Sequence, residues 1–360
     1  MKKILFILSL LIYPFITKGQ LTEAFVDSLF SDFNKTNSPN IGVLVIKKDS
    51  VYIVKNYGYT DTINHIKANN NTIYHLSNLS KQFTALAVFM LYQQKKLDLH
   101  DYISKYLTDL PTCFNKVKIY DLLNHTSGIA DYKKHFSYKI FTQLSADDVY
   151  DFVKKQDSIL FEPGTKFNLS NSDYVVLSKI IEKASGMSYP DFIEKKIFKP
   201  LKMTNSYVYR TKKFKKPPIP VFSFRNDTIV NVKTNAGFKY QTGNEGIFTT
   251  LTDYVKWDKA LDNYKIIDTV NYKKIFQRDG LSNASEPNIN YGFGWINEMN
   301  VYNTYYYCVG ADLYNTNIAL KVPPEKITVV ILANRNGTFG LRKKAFEMIR
   351  KISPFWYIIY

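Results

Sequence analysis

Residues 74–92, YHLSNLSKQFTALAVFMLY, constrain this chain more than any other stretch. The polar residues Ser77, Asn78, Ser80 and Lys81 run straight into Ala85-Leu86-Ala87-Val88-Phe89-Met90-Leu91, which carries no charge. A helix that is apolar on nearly every side belongs inside a protein, so the chain must wrap around it. Ser77 and Asn78 are both favourable N-cap residues, which predicts that the helix begins there and that Ser77 serves as a cap. A lysine in the first turn of such a helix opposes the macrodipole and is further penalised by burial. Lys81 therefore needs a partner, or it loses its proton easily.

The 360 residues are 45% hydrophobic, enough for one large domain or two intimately joined ones. Lys2 and Lys3 precede an apolar run from Ile4 to Ile16, followed by Thr17-Lys18-Gly19-Gln20. This is the pattern of a secretory signal peptide over residues 1–19, cleaved after Gly19, with a mature domain over 20–360. The run is short of the roughly 20 residues that span a bilayer, so no stable membrane span is expected after cleavage. Neither cysteine lies near the cleavage region, which argues against a lipoprotein anchor. The expected location is periplasmic or extracellular. Cys113 and Cys308 are too few and too far apart for a disulfide framework, and are read as free thiols.

The formal net charge of +17 is scattered in short lysine groups such as Lys212-Lys213 and Lys215-Lys216. Without a dense basic arm or a matching motif, nucleic acid is excluded as a partner. Attraction to anionic envelope material is compatible with the charge. None of the 5 histidines stands at metal-ligand spacing from another, so neither metal nor cofactor is expected. The 28 tyrosines, with Tyr302, Tyr305, Tyr306 and Tyr307 close together, fit either a ligand groove or ordinary core and strands.

Strand-like runs sit at both ends of the chain and helical ones between. Ile41 to Lys48 and Val51 to Tyr57 predict a hairpin through Asp49-Ser50. Helices are expected over Thr22–Phe33, Val117–Leu123, Ala146–Lys154 (capped by Ser145), Ser172–Ser185 (stopped by Gly186), Tyr189–Ile197, Leu251–Leu261 and Gly340–Ile352. The run from Ile219 to Val232 reads as strands or loop. Tyr291–Ile296, Tyr305–Val309, Asn317–Lys321 and Ile327–Ala333 return to β. The fold class that follows is α/β (α+β): one sheet built from both termini, flanked by helices, with a helical insertion over roughly 78–215.

A set of landmarks now gives a resemblance. They are Ser80-Lys81-Gln82-Phe83-Thr84-Ala85, Leu122 to Gly128, Phe161-Glu162-Pro163-Gly164, Ile197 to Met203, Trp257, Tyr291-Gly292-Phe293-Gly294-Trp295 and Val329 to Asn334. In order and spacing the chain resembles the β-lactamase-related serine hydrolases: class C β-lactamases, D-alanyl-D-alanine carboxypeptidases and related penicillin-binding-protein-like esterases and peptidases. The resemblance implies an antiparallel sheet flanked by helices, and three chemical elements. One is Ser-x-x-Lys at the head of the buried helix, where serine attacks a carbonyl and lysine helps remove its proton. Here Asn78 stands three residues before Lys81. The second is Tyr-x-Asn, matched by Leu169-Ser170-Asn171. The third is a basic or imidazole-bearing triplet ending in glycine, matched by Cys308-Val309-Gly310.

Nucleophile, proton carrier and charge stabiliser are thus each replaced, by Asn78, Leu169 and Cys308. Groups that act as a unit lose most activity when one goes, so the ordinary acyl-transfer route is read as closed. The family's oxyanion hole implies backbone N–H groups at Asn78 and Ala311, which survive any change of side chain. The expected groove therefore comprises Asn78, Lys81, Leu169, Asn171, Gly310 and Ala311, holding a small peptide, cell-wall fragment or acyl ligand. Lys81 is expected to hydrogen-bond the carbonyl oxygen of Asn78.

Other residues admit a second reading, an active hydrolase of ester, peptide or β-lactam with altered chemistry. Ser77 is a substitute nucleophile in that reading, and Cys308 beside Lys81 a thiol of lowered pKa. Otherwise Cys308 is simply a small residue in a strand. His125 is read as structural, Trp257 and Trp295 as core, and Asp312 as a contact for a cationic ligand. A third reading is a purely structural envelope scaffold. Nothing in the sequence bears on oligomeric state.

Overall fold

The run Ile41–Lys47 has almost no polar side chain, and it forms a strand buried along its length. Successive side chains of a strand point to opposite faces. Accordingly Val43 and Val45 join one apolar cluster while Leu44 and Ile46 join another, so this strand has a core on both sides. The computed structural model describes residues 20–34, 38–62, 64–210, 221–225, 228–232, 239–276, 281–283, 286–299, 304–311, 315–336 and 340–353. The signal-peptide segment and Asp312 lie outside these residues.

Among the described residues the main sheet has 8 strands. In spatial order they are Ser282–Asn283, Glu286–Gly292, Trp295–Met299, Thr304–Ala311, Thr316–Val322, Ile327–Ala333, Ile41–Lys47 and Ser50–Tyr57. Every pairing is antiparallel. Ile41 lies opposite Ala333 and Val45 opposite Val329, so the N-terminal hairpin is zipped onto the last C-terminal strand. This is the two-ended antiparallel sheet that the strand pattern implies.

One face is covered by the helices Glu23–Leu29 and Leu341–Ile352, through Val26, Leu341, Ala345, Met348 and Ile349. The other face carries the larger core. There the helix Lys81–Gln93 is buried from Lys81 to Leu91, and Phe83 stacks on Trp257 with ring centroids 3.9 Å apart. Removing such a side chain, as in Phe89→Ala, costs about 3–5 kcal/mol through lost burial and the cavity left behind. Trp257 and Trp295 are core residues, as are Tyr305, Tyr306 and Tyr307. Both cysteines are free. No helix among the described residues is long and apolar enough to cross a membrane.

Several boundaries differ from the sequence expectations. The buried helix starts at Lys81 rather than at Ser77, because Ser77–Ser80 forms a tighter 3-10 turn ahead of it. The apolar run Tyr291–Ile296 is two strands, broken by Phe293 and Gly294 at φ +56° and +88°. Gly294 is needed there, since a Cβ would stand 2.9 Å from the backbone of Gln82. The helix Thr269–Ile275 was not legible, nor was the small sheet of Tyr74–His75, Ile247–Thr249 and Tyr207–Val208. Short strands paired across 170 residues of chain leave little local pattern. Within the run Ile219 to Val232, Val221–Arg225 and Thr228–Val232 pair as a hairpin, and positions 219–220 and 226–227 lie outside the described residues.

Candidate functional site

The strand Thr304–Ala311 crosses the 3-10 turn Ser77–Ser80, and the two touch without room to spare. A Cβ on Gly310 would come within 2.5 Å of the Leu76 carbonyl oxygen and 3.2 Å of Cβ of Ser77. Only glycine allows that approach. Ser77 itself holds φ +49°, the left-handed region that costs a non-glycine residue roughly 1–2 kcal/mol. Its hydroxyl is fully buried and has no hydrogen-bond partner among the described residues. Ser77 is therefore not the helix cap expected from the sequence: Ser80 occupies that position, without a side-chain cap bond.

Asn78 is partly exposed, and its side-chain oxygen has no partner among the described residues. Its backbone carbonyl accepts the amide of Lys81 and the thiol of Cys308, the latter at 3.6 Å. Lys81 does not bond that carbonyl through its side chain. Its Nζ donates instead to Oδ1 of Asn171 at 2.9 Å and stands 5.3 Å from the ring centroid of Tyr174. Asn171 opens the helix Asn171–Ser185, which brings it to the mouth of the central helix. Its amide nitrogen donates to Asp131 Oδ1 and Oδ2 at 3.3 and 3.1 Å, and its backbone N–H to Oδ1 at 3.1 Å. The structure thus joins Asn78, Lys81, Asn171, Cys308 and Gly310 in one place. Leu169, two residues before Asn171, is 38% exposed, and Ala311 is exposed at the end of its strand.

Burial drives the electrostatics. The Lys81 ammonium is 2% exposed, and desolvation lowers its pKa to about 8, helped by the positive charge of Lys133 and opposed by Asp131 and Glu245. The same burial pushes the Cys308 thiol up to about 12, and the nearby Lys81 offsets only part of this. That reverses the lowered thiol pKa considered from the sequence: proximity to one lysine loses to the apolar strand environment.

Beneath the site, His125 Nδ1 lies 2.9 Å from Asp173 Oδ2, with both side chains fully buried. Desolvation lowers the histidine well below its usual value and raises the aspartate well above its own. Ser127 donates to the other Asp173 oxygen at 2.5 Å. His125 is fully buried and bonded within the fold, as expected of a residue in this turn.

Sequence reasoning missed Asp131, Lys133 and Glu245. Lys133 and Glu245 form an ion pair beside Lys81, with side-chain exposures of 18% and 8%. Glu245 sits in the tight loop between Gly243 and Gly246, and Asp131 caps the short helix Tyr132–His135. Nothing in local spacing ties these residues to position 81. A hollow of 610 Å³ lined by Tyr92, Lys96, Asp101 and Lys274 lies at the other end of the central helix and contains none of the site residues.

This geometry agrees with comparison to known proteins. The family described as Beta-lactamase matches residues 26–352, and the chain belongs to that family. A penicillin-binding protein of Bacillus subtilis is 30% identical over 289 residues, covering 75% of this chain and 62% of its own length. The protein called flp of Staphylococcus aureus is 28% identical over 318 residues, covering 86% of this chain and 62% of its own. The chain thus spans less than two thirds of these relatives. Among solved structures, the octameric penicillin-binding protein homologue of Pyrococcus abyssi superposes with a TM-score of 0.79 at 23% identity, covering 91% of this chain and 77% of the other. FmtA of Staphylococcus aureus does so with 0.72 at 22% identity, covering 92% and 90%. At such identities these structures establish the fold alone.

Proposed function

We propose that this chain is an exported, non-catalytic member of the family, whose cleft at Lys81 binds a peptide, cell-wall fragment or acyl compound without forming an acyl intermediate. The observation that carries the reading is the partner of Lys81. Its Nζ is engaged by the amide oxygen of Asn171, and the residue one helical turn before it is Asn78, whose side chain is no nucleophile for acyl transfer. Leu169 cannot carry a proton, and Cys308 cannot supply a positive charge.

In this reading residues 1–19 are the signal peptide, and 20–360 form a single domain with the helical part, roughly 78–215, inserted in the sheet part. The backbone amides of Asn78 and Ala311 provide donors for a ligand carbonyl. A relative named for binding penicillin supports an acyl-type ligand. Two features weigh against hydrolysis by another nucleophile. The Cys308 thiol is raised to about 12 and so stays protonated, and the Ser77 side chain is fully buried beneath Gly310.

Incubation with a fluorescent penicillin and with a fluorophosphonate tests the reading. Neither should label the folded protein. Labelling that disappears in Ser77→Ala, or iodoacetamide capture of Cys308 at neutral pH, establishes the active-hydrolase alternative instead.

A further inference from the structure

Among the described residues, every carboxylate near Lys81 is already committed to another group. Asp131 is held by the amide and backbone of Asn171 and also accepts the Lys133 backbone N–H at 3.2 Å. Glu245 is paired with the Lys133 side chain. Asp173 is bonded to His125 and Ser127. Tyr174 offers only its ring face, and the Cys308 thiol is neutral.

An ammonium has three N–H donors and no acceptor. Among the described residues, Lys81 spends one of them, on Asn171. A nine-tenths-buried ammonium with unspent donors and no carboxylate within ion-pair distance is costly unless an anion joins it. Lys133 adds a second positive charge to the same place. Beside Lys81, Asn78, one turn before it, is partly exposed, and Leu169, two residues before its partner, is exposed.

We propose that Lys81 anchors the carboxylate of the bound peptide or acyl ligand, an inference that rests on the binding-cleft reading above. The ligand is then a free acid rather than an ester or amide. A bound carboxylate favours the protonated amine, so binding takes up a proton wherever the free protein holds Lys81 neutral. With Lys81 lowered to about 8, that regime begins just above neutrality. Lys133 opposes the uptake and Asp131 and Glu245 favour it, but all three are present in free and bound protein alike.

The test is calorimetric titration of the full chain with N-acylated dipeptides, each offered as the free acid and as its C-terminal amide. At pH 7 the acid should bind at least tenfold more tightly than its amide, with the preference shrinking as pH rises to 10. At pH 9, titration in two buffers of different ionisation heat should show uptake of a fraction of a proton per ligand. That second measurement needs no variant, and Lys81→Met should abolish both effects. Equal binding of acid and amide with no proton uptake overturns the anchor and leaves the cleft reading standing. Binding of neither form at millimolar concentration overturns both.

Discussion

Lys81 and Asn171 are 90 residues apart in sequence, and their buried side chains meet at 2.9 Å. The central helix delivers one and the first residue of a second helix delivers the other. Asn171 in turn is fixed by Asp131, so the lysine sits at the end of a three-residue relay in which each member depends on the next.

Breaking the middle of that relay strands Lys81. Asn171→Leu removes its side-chain partner, at a cost of about 1–3 kcal/mol, while Asp131 keeps the backbone N–H groups at positions 171 and 133. Urea denaturation at pH 7 should give a midpoint well below that of the parent. An unchanged midpoint would mean that the relay does not hold the cleft together.

The lowered pKa of Lys81 has a definite sign in stability. Between about 8 and the unfolded value of 10.5, the unfolded chain binds more protons than the folded one, so stability rises with pH. The displacement corresponds to an upper bound of about 3 kcal/mol. Cys308 works the other way above its ordinary value of 9, since its folded thiol keeps its proton up to about 12. The clean window is therefore pH 8 to 9. Unfolding free energies measured there should increase with pH in the parent and stay flat in Lys81→Met.

Gly310 is a second point of no tolerance. The methyl group of Gly310→Ala would stand 2.5 Å from the Leu76 carbonyl, which is backbone and cannot turn aside. Overpacking of this kind costs about 1–3 kcal/mol. Thermal denaturation should register the loss, while a substitution at the exposed Val309 should not.

Away from the cleft, Lys321 Nζ lies 2.8 Å from Asp258 and 2.9 Å from Asp262, all three buried, tying a sheet strand to the helix Leu251–Asp262. Lys321→Met leaves two carboxylates without their cation and should destabilise by about 3–5 kcal/mol. Restoring most of that stability by also making Asp258→Asn and Asp262→Asn would identify charge, not packing, as the cause.

The fold was legible because its signals are local and strong. The charge-free run Ala85–Leu91 could only be interior, and β-branched runs at both ends of the chain could only pair with one another. The helix bounded by Ser145 and the one stopped by Gly186, at φ +69°, follow ordinary capping chemistry. What was not legible depends on tertiary contact. Ser77 looked like a cap, but the strand carrying Gly310 presses the turn into a left-handed residue. The alternative of a Cys308 thiol activated by Lys81 fails because desolvation outweighs one lysine. Asp131, Lys133 and Glu245 reach the cleft only through the packing of separate loops, so no spacing in the sequence announces them.

Restoring the serine alone should not restore turnover. Asn78→Ser still faces Leu169 and Cys308, and members of a catalytic unit do not contribute independently. Hydrolysis of a chromogenic ester should stay near background for the single variant. The combination with Leu169→Tyr and Cys308→His should exceed it by at least about a hundredfold.

The central claim, that no side chain in the Lys81 cleft accepts an acyl group, is met most directly by intact-mass analysis of the purified protein after prolonged incubation with a penicillin and with an activated ester. The expected spectrum is that of the unmodified chain. A stoichiometric adduct that maps to Ser77, Lys81 or Cys308 would contradict it.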